Sequence, residues 1–188
     1  MTKAKHPFVR SCLTTAVLAV LPLATLPVLA RTQAASTTAV SPLAQPDKDF
    51  VQAASMSSST EIDAAKLAMK NSEDKDVKSF AQHMMVDHTK LTVELEMAAP
   101  HGVTVPKDNS DRSILESPKN VHGKALDQTY ILKVGVQGHT KAVAAFQREI
   151  SDGHDAKLKK AATEALPTIQ KLSQMAQHLA SKKGVSAQ

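Results

Sequence analysis

The sequence predicts an all-α domain with the architecture of a four-helix bundle. Between about residues 47 and 181, apolar residues recur at three- and four-residue intervals, which is the period of a helix with one buried face. The alternating pattern of strands and the dipeptides of tight hairpins are missing from the same region. The apolar pattern predicts four helices, at about residues 49–70, 74–99, 121–150 and 155–181, with Asp47 or Asp49 as the cap of the first.

Loop lengths predict how the four helices are connected. The first and second helices are separated by only a few residues, as are the third and fourth, so each pair should form an antiparallel hairpin. The connection over residues 100–120 could span on the order of 60 Å, which exceeds the roughly 39 Å length of a 26-residue helix. Such a long crossover between helices 2 and 3 is the ferritin-like arrangement.

The amino-terminal segment has the pattern of a secretory signal peptide. A basic head with Lys3, Lys5 and Arg10 precedes an apolar run that ends in small residues near Ala30. Two prolines within the run argue against a membrane span, although an uncleaved anchor is the alternative. We therefore predict a signal peptide at 1–30, a flexible linker at 31–46, the helical domain at 47–181, a tail at 182–188, and a periplasmic location.

Charge and composition exclude several classes of function. Three of the 23 basic residues lie in the predicted leader, so 20 remain against 18 acidic residues. With no Trp and one Tyr, the chain offers neither a basic footprint nor a stacking surface for nucleic acid. The one cysteine, Cys12, lies in the leader, so the mature chain has no thiol chemistry. Sequence motifs for nucleophilic catalysis or phosphate binding are also missing.

Three polar residues interrupt apolar stripes on three predicted helices and form the candidate site: Glu61, His88 and His139. At about 1.5 Å per residue, Glu61 should lie roughly 18 Å from one end of the bundle and His88 roughly 16 Å from that end. With the crossover, His139 also lies roughly 16 Å from that end, but without it the distance would be about 27 Å. The crossover therefore predicts that all three side chains meet at one level.

Two imidazoles and one carboxylate can bind a single metal ion, with Fe, Mn or Zn as candidates. Asp87 is a weaker candidate ligand, because it lies about 100° around the helix from the adjacent His88. The Glu-x-x-His pairs of diiron bundles are absent from the sequence. The alternative is a buried hydrogen-bonded network with a purely structural role.

Two features within the helices predict close packing. Residues 55–60 form a run of small, mostly hydroxyl-bearing side chains that should let another helix approach, and the glycines at 135 and 138 should do the same.

Short ordered motifs cover most of the predicted domain, from about Asp47 to Leu179, and carry a family resemblance. They are Glu61-Ile62, Lys66-Leu67-Ala68, Val77-Lys78, Phe80-Ala81, Met84, Asp87-His88, Asp127, Tyr130, His139 and Leu166-Pro167. With these motifs the chain resembles domain of unknown function 4142, a bacterial family of exported proteins that often carry the label outer membrane protein.

The resemblance implies a ferritin-like fold and a non-enzymatic role in envelope maintenance or stress tolerance, with envelope association. The alternative function is metal-binding or redox chemistry at Glu61, His88 and His139. One position departs from the family pattern, since Leu172 stands where the family commonly has a histidine, five residues after Pro167. A ligand from the fourth helix is therefore not expected.

Overall fold

The computed structural model describes residues 43–119 and 121–186, which contain helices and no strand. The predicted signal peptide and residues 31–42 of the predicted linker lie outside the described residues. The elements are α1 (Gln45–Asn71), α2 (Lys75–Ala98), α3 (Arg112–Lys119), α4 (Gly123–Thr129), a π-helical segment (Tyr130–Gly138), α5 (His139–Asp152) and α6 (Ala156–Lys183). Because α4, the π-helical segment and α5 follow without a break, the described residues form four long helices and one short one. The predicted all-α class is confirmed.

Aspartate caps begin two of the long helices. The Asp74 carboxylate accepts hydrogen bonds from the backbone of Asp76 and Val77 at the start of α2, and Asp155 does the same at the start of α6. The prediction that Asp47 or Asp49 caps α1 is wrong. This helix begins earlier, at Gln45, because Pro46 suits the first helical turn.

The apolar interior consists of two clusters, one toward each end of the long helices. The first core joins the carboxyl half of α1, the amino half of α2, the π-helical segment and the carboxyl half of α6; its members include Ala65, Val77, Phe80, Met84, Tyr130, Ile131, Leu172 and Ala176. The second core joins the opposite halves of α1, α2 and α6 with α5; its members include Phe50, Ala54, Leu91, Leu95, Phe146, Leu158 and Ile169. It follows that α1 and α6 run in one direction, and that α2 and the rod from α4 to α5 run in the other.

The connection between α2 and α4 passes from the second core to the first. Val105 is buried in the second core, and Ile114 and Leu115 of α3 pack against the first. The sequence predicts no helix in this connection, whereas the structure contains α3. An eight-residue helix is too short to be stable alone, and α3 is stabilised by packing on α1.

Close packing between helices explains one of the two glycines in the π-helical segment. A Cβ atom at Gly135 would lie 3.0 Å from the Cβ of Ala176 and 3.3 Å from the ring of Phe80. As the sequence indicated, the missing side chain lets α6 and α2 approach the rod. No helix within the described ranges is both long and apolar enough to cross a bilayer.

Asp47 and Glu149 form a buried carboxyl pair where α1, α5 and α6 meet, and each is 1% exposed. Asp47 Oδ1 accepts from the backbone N–H groups of His154 and Asp155, both at 2.9 Å. Burial raises the pKa of Asp47, but these backbone hydrogen bonds outweigh it and the pKa is lowered. Burial, and then the charge of Asp47, raise the pKa of Glu149 to about 7. The pair therefore holds a proton that an exposed glutamate would have released.

We expect this pair to make the protein less stable as the pH rises from about 4.5 to 7. Glu149 binds its proton more tightly in the folded chain than in the unfolded chain. Its contribution to stability is therefore complete below the pKa of Glu149 in the unfolded chain, and it is lost as the pH rises through the pKa of Glu149 in the folded chain. Glu149→Gln should remove this loss and raise the unfolding free energy at about pH 8 by on the order of 1–3 kcal/mol.

Urea denaturation at several pH values measures the effect. Glu164→Gln is the matched control, since Glu164 lies on α6 with a side chain that is 65% exposed. A Glu149→Gln variant with the same pH dependence as the wild type would contradict the interpretation.

Candidate metal centre

Glu61, His88 and His139 converge between the two apolar cores. Glu61 lies on α1, His88 on α2, and His139 begins α5; none is more than 2% exposed. One ligand atom from each, Glu61 Oε2 and the two Nε2 atoms, lies within 4.8 Å of the others. The structure thus brings together the three residues that the sequence selected. Asp87 is partly exposed and is not part of this group.

The spacing of these atoms suits a metal ion. The two Nε2 atoms are 3.4 Å apart, and His139 Nε2 lies 3.5 Å from Glu61 Oε2. Ligands bound tetrahedrally at about 2.0–2.2 Å stand about 3.4 Å from one another. His88 Nε2 is in direct contact with Glu61 Oε2, so this pair must separate to admit an ion.

The π-helical segment fixes the orientation of His139. The backbone N–H of His139 donates to Val136, so the carbonyl of Gly135 does not receive the usual α-helical bond from residue 139. That carbonyl instead lies 2.8 Å from Nδ1 of His139. Because a carbonyl can only accept, Nδ1 carries the hydrogen and Nε2 keeps a lone pair that faces the cluster.

Neighbouring hydroxyl groups hold the other two members. Ser57 Oγ donates to Glu61 Oε1 at 3.1 Å, and Ser58 Oγ lies 3.3 Å from His88 Nδ1. Each of the three side chains thus has its outward-facing atom held by a second group, as is usual for metal ligands. The sequence did not predict this role of Ser57 and Ser58. The one indication of it in the sequence is the unusual run of hydroxyl side chains within a helix.

The remaining hydroxyls of the run fasten the connection between α2 and α4. Ser55 accepts from Asn109 at 2.7 Å, Ser59 donates to the same side chain at 3.0 Å, and Thr60 accepts from the backbone of Asp111 at 2.7 Å. The run therefore joins the candidate site to the crossover.

The electrostatics of the cluster favour the protonation states that a metal requires. Burial raises the pKa of Glu61, but interactions with His88 and His139 outweigh it, so the pKa lies below its ordinary value. Burial lowers the pKa of His139. A carboxylate beside a neutral imidazole is the deprotonated state in which these groups bind metals.

Two further polar atoms at the cluster are buried. Glu61 Oε2 is in direct contact with His88 Nε2 and lies 3.5 Å from His139 Nε2, whereas the hydroxyl of Tyr130 has no hydrogen-bond partner among the described residues. Burial, and then the charge of Glu61, raise the pKa of Tyr130, so its hydroxyl stays protonated. A buried carboxylate oxygen opposite two imidazole nitrogens is an arrangement in which a cation can bind.

The fourth long helix supplies none of the three converging side chains. Leu172, at the position where the family resemblance implies a histidine, is fully buried in the first core. The site therefore draws its ligands from α1, α2 and α5.

Replacing all three polar side chains of the cluster with apolar ones should cost less stability than replacing one of them. With chelator present, His88→Leu alone leaves the Glu61 carboxylate buried beside an apolar group and should lower the unfolding free energy by about 3–5 kcal/mol. The triple variant Glu61→Met, His88→Leu and His139→Leu should be as stable as the wild type or more so, by up to about 4 kcal/mol. Urea denaturation compares them. A triple variant less stable than the single one would show that the cluster is needed for folding.

Comparisons with known proteins address the family and the fold. A family model described as "Domain of unknown function (DUF4142)" matches residues 31–179. A solved DUF305 protein from Streptomyces coelicolor, assigned as secreted, is similar in structure with a TM-score of 0.61 at 12% identity, over 75% of this chain and 94% of that chain. No curated protein matches the chain. The family resemblance noted from the sequence is confirmed, and the chain belongs to the DUF4142 family.

Proposed function

We propose that this protein is an exported metal-binding protein with one mononuclear centre formed by Glu61, His88 and His139. The observation that carries the proposal is the convergence of three potential ligand atoms, Glu61 Oε2 and the two Nε2 atoms, which are buried and lie within 4.8 Å of one another. A buried carboxylate is costly unless a cation or hydrogen bonds compensate its charge. The sequence pattern of residues 1–30 supports export.

We further assign the fold as a ferritin-like four-helix bundle with the long crossover between α2 and the α4–α5 rod. The two-core arrangement and the opposed helix directions support this assignment. In such bundles, metal sites are formed by inward side chains of facing helices.

The donor set favours Fe, Mn or Zn, because imidazole and carboxylate suit these ions. Two nitrogens and one oxygen leave coordination positions for water or an exogenous ligand, where a bound metal would supply Lewis-acid or redox chemistry. The competing interpretation is an ion-paired structural cluster, which the direct contact between His88 and Glu61 favours. A non-enzymatic role in envelope maintenance or stress tolerance stays a prediction from the family resemblance.

Elemental analysis distinguishes these interpretations. Protein prepared from its native envelope without chelators or an affinity tag should contain about one equivalent of Fe, Mn or Zn, because the site offers one set of three ligands. His88→Ala with His139→Ala should lose it, whereas the control His101→Ala with His122→Ala should keep it, since both control histidines are exposed. Wild-type protein that stays empty even after titration with these metals would refute the proposal.

The serine contacts should set the metal affinity. Ser57→Ala with Ser58→Ala frees Glu61 Oε1 and His88 Nδ1, so the dissociation constant should rise by about 10- to 100-fold. Ser59→Ala is the matched control, because this serine bonds Asn109 in the crossover instead. Competition with a chromophoric chelator measures the metal affinity of the wild type, the double variant and the control. Equal affinities of the wild type and the double variant would contradict the assigned role of these hydroxyls.

A further inference from the structure

A pocket of about 250 Å³ lies between α1 and α5 and reaches the candidate centre. Helix α1 contributes Ala53, Met56 and Thr60, and α5 contributes Ala142 and Ala145. The crossover forms a third wall with Asp111 and Ile114. Two of these three segments, α1 and the crossover, are the ones that the hydroxyl run joins.

The floor of the pocket is Glu61 itself. Gly138 lies beside it, and a Cβ atom at this position would come within 3.0 Å of Glu61 Oε1. Glu61 is almost completely buried, and because Gly138 has no side chain, no side chain at this position lies between Oε1 and the pocket. Oε1 accepts one hydrogen bond, from Ser57, and a carboxylate oxygen has room for another.

The chemistry of the pocket changes from its walls to its floor. The walls carry methyl, thioether and sec-butyl groups from alanines, Met56 and Ile114, whereas the floor presents a carboxylate acceptor. Lys141 is exposed on the same cleft and interacts electrostatically with Asp111. An apolar body would fit the walls, and a hydrogen-bond donor would fit the floor. An anionic head group would face the Glu61 carboxylate and be repelled.

We propose that this pocket binds a small uncharged molecule with an apolar body and one hydroxyl group, and that the hydroxyl donates to Glu61 Oε1. If a metal is bound, the small molecule would lie against Glu61, which is one of the residues that bind the metal. This proposal therefore deepens the proposed function, and any reaction of the small molecule at the metal rests on it. Binding itself depends on the pocket walls and Glu61 and does not require the metal.

Titration of the full domain with phenol, toluene and benzoate, followed by methyl NMR, tests the proposal. Phenol should shift the methyl signals of Met56 and Ile114 and leave that of Ile169, in the second core, unchanged. A hydrogen bond to a charged acceptor should make phenol bind about tenfold more tightly than toluene, and benzoate should bind more weakly still. Toluene binding as tightly as phenol, or shifts elsewhere in the protein, would overturn the assignment.

A variant that fills the pocket provides the second measurement. Ala145→Leu places extra volume on the pocket wall and should weaken phenol binding by about tenfold or more. Ala161→Leu is the matched control, since Ala161 is also partly exposed but lines a different groove on α6. Thermal melting checks that both variants fold, and Ala53→Leu replaces Ala145→Leu if that variant does not. Equal binding by the filled variant and the control would contradict the proposal.

The titration is run with chelator and again after addition of zinc, together with measurement of bound zinc. Phenol binding without zinc uptake would retain the pocket and reject the metal centre. Zinc uptake without phenol binding would retain the metal centre and reject the pocket proposal. The two proposals can therefore fail independently.

Discussion

The main constraint on this structure is the burial of one carboxylate and two imidazoles between two apolar cores. Glu61, His88 and His139 are each almost completely inaccessible to water, and apolar clusters pack on both sides of them. Such groups destabilise a fold unless every polar atom has a partner. Neighbouring groups bind the outward-facing atom of each of the three side chains, and the inward-facing atoms, Glu61 Oε2 and the two Nε2 atoms, face one another.

Two irregular features of the chain meet this requirement. The π-helical segment frees the Gly135 carbonyl for the ring of His139, and the hydroxyl run on α1 provides Ser57 and Ser58 for the other two members. Both features are unfavourable for an ordinary helix, since hydroxyls compete with backbone bonds and π-helical turns are rare. Departures of this kind are expected at functional sites, where local stability is given up for the geometry of the side chains.

Much of the fold and the site could be predicted from the sequence. Helical periodicity identified the four long helices, and counting residues along them placed Glu61, His88 and His139 together, because the rise per residue of a helix is constant. The π-helical segment could not be predicted, since its sequence continues the helical pattern. The contacts of Ser57 and Ser58 could not be predicted, because they depend on the conformations of individual side chains and not on the helical period. The sequence predicts Asp47 or Asp49 as the cap of α1. The backbone partners of Asp47 are instead more than a hundred residues away, at His154 and Asp155.

The most direct test of the metal centre is an anomalous-difference map from crystals of the mature protein grown with zinc and measured at the zinc absorption edge. The account predicts one strong peak at about 2.0–2.2 Å from Glu61 Oε2, His88 Nε2 and His139 Nε2. Peaks confined to surface histidines, with His88 Nε2 still in contact with Glu61 Oε2, would contradict it and leave the cluster as a structural ion pair.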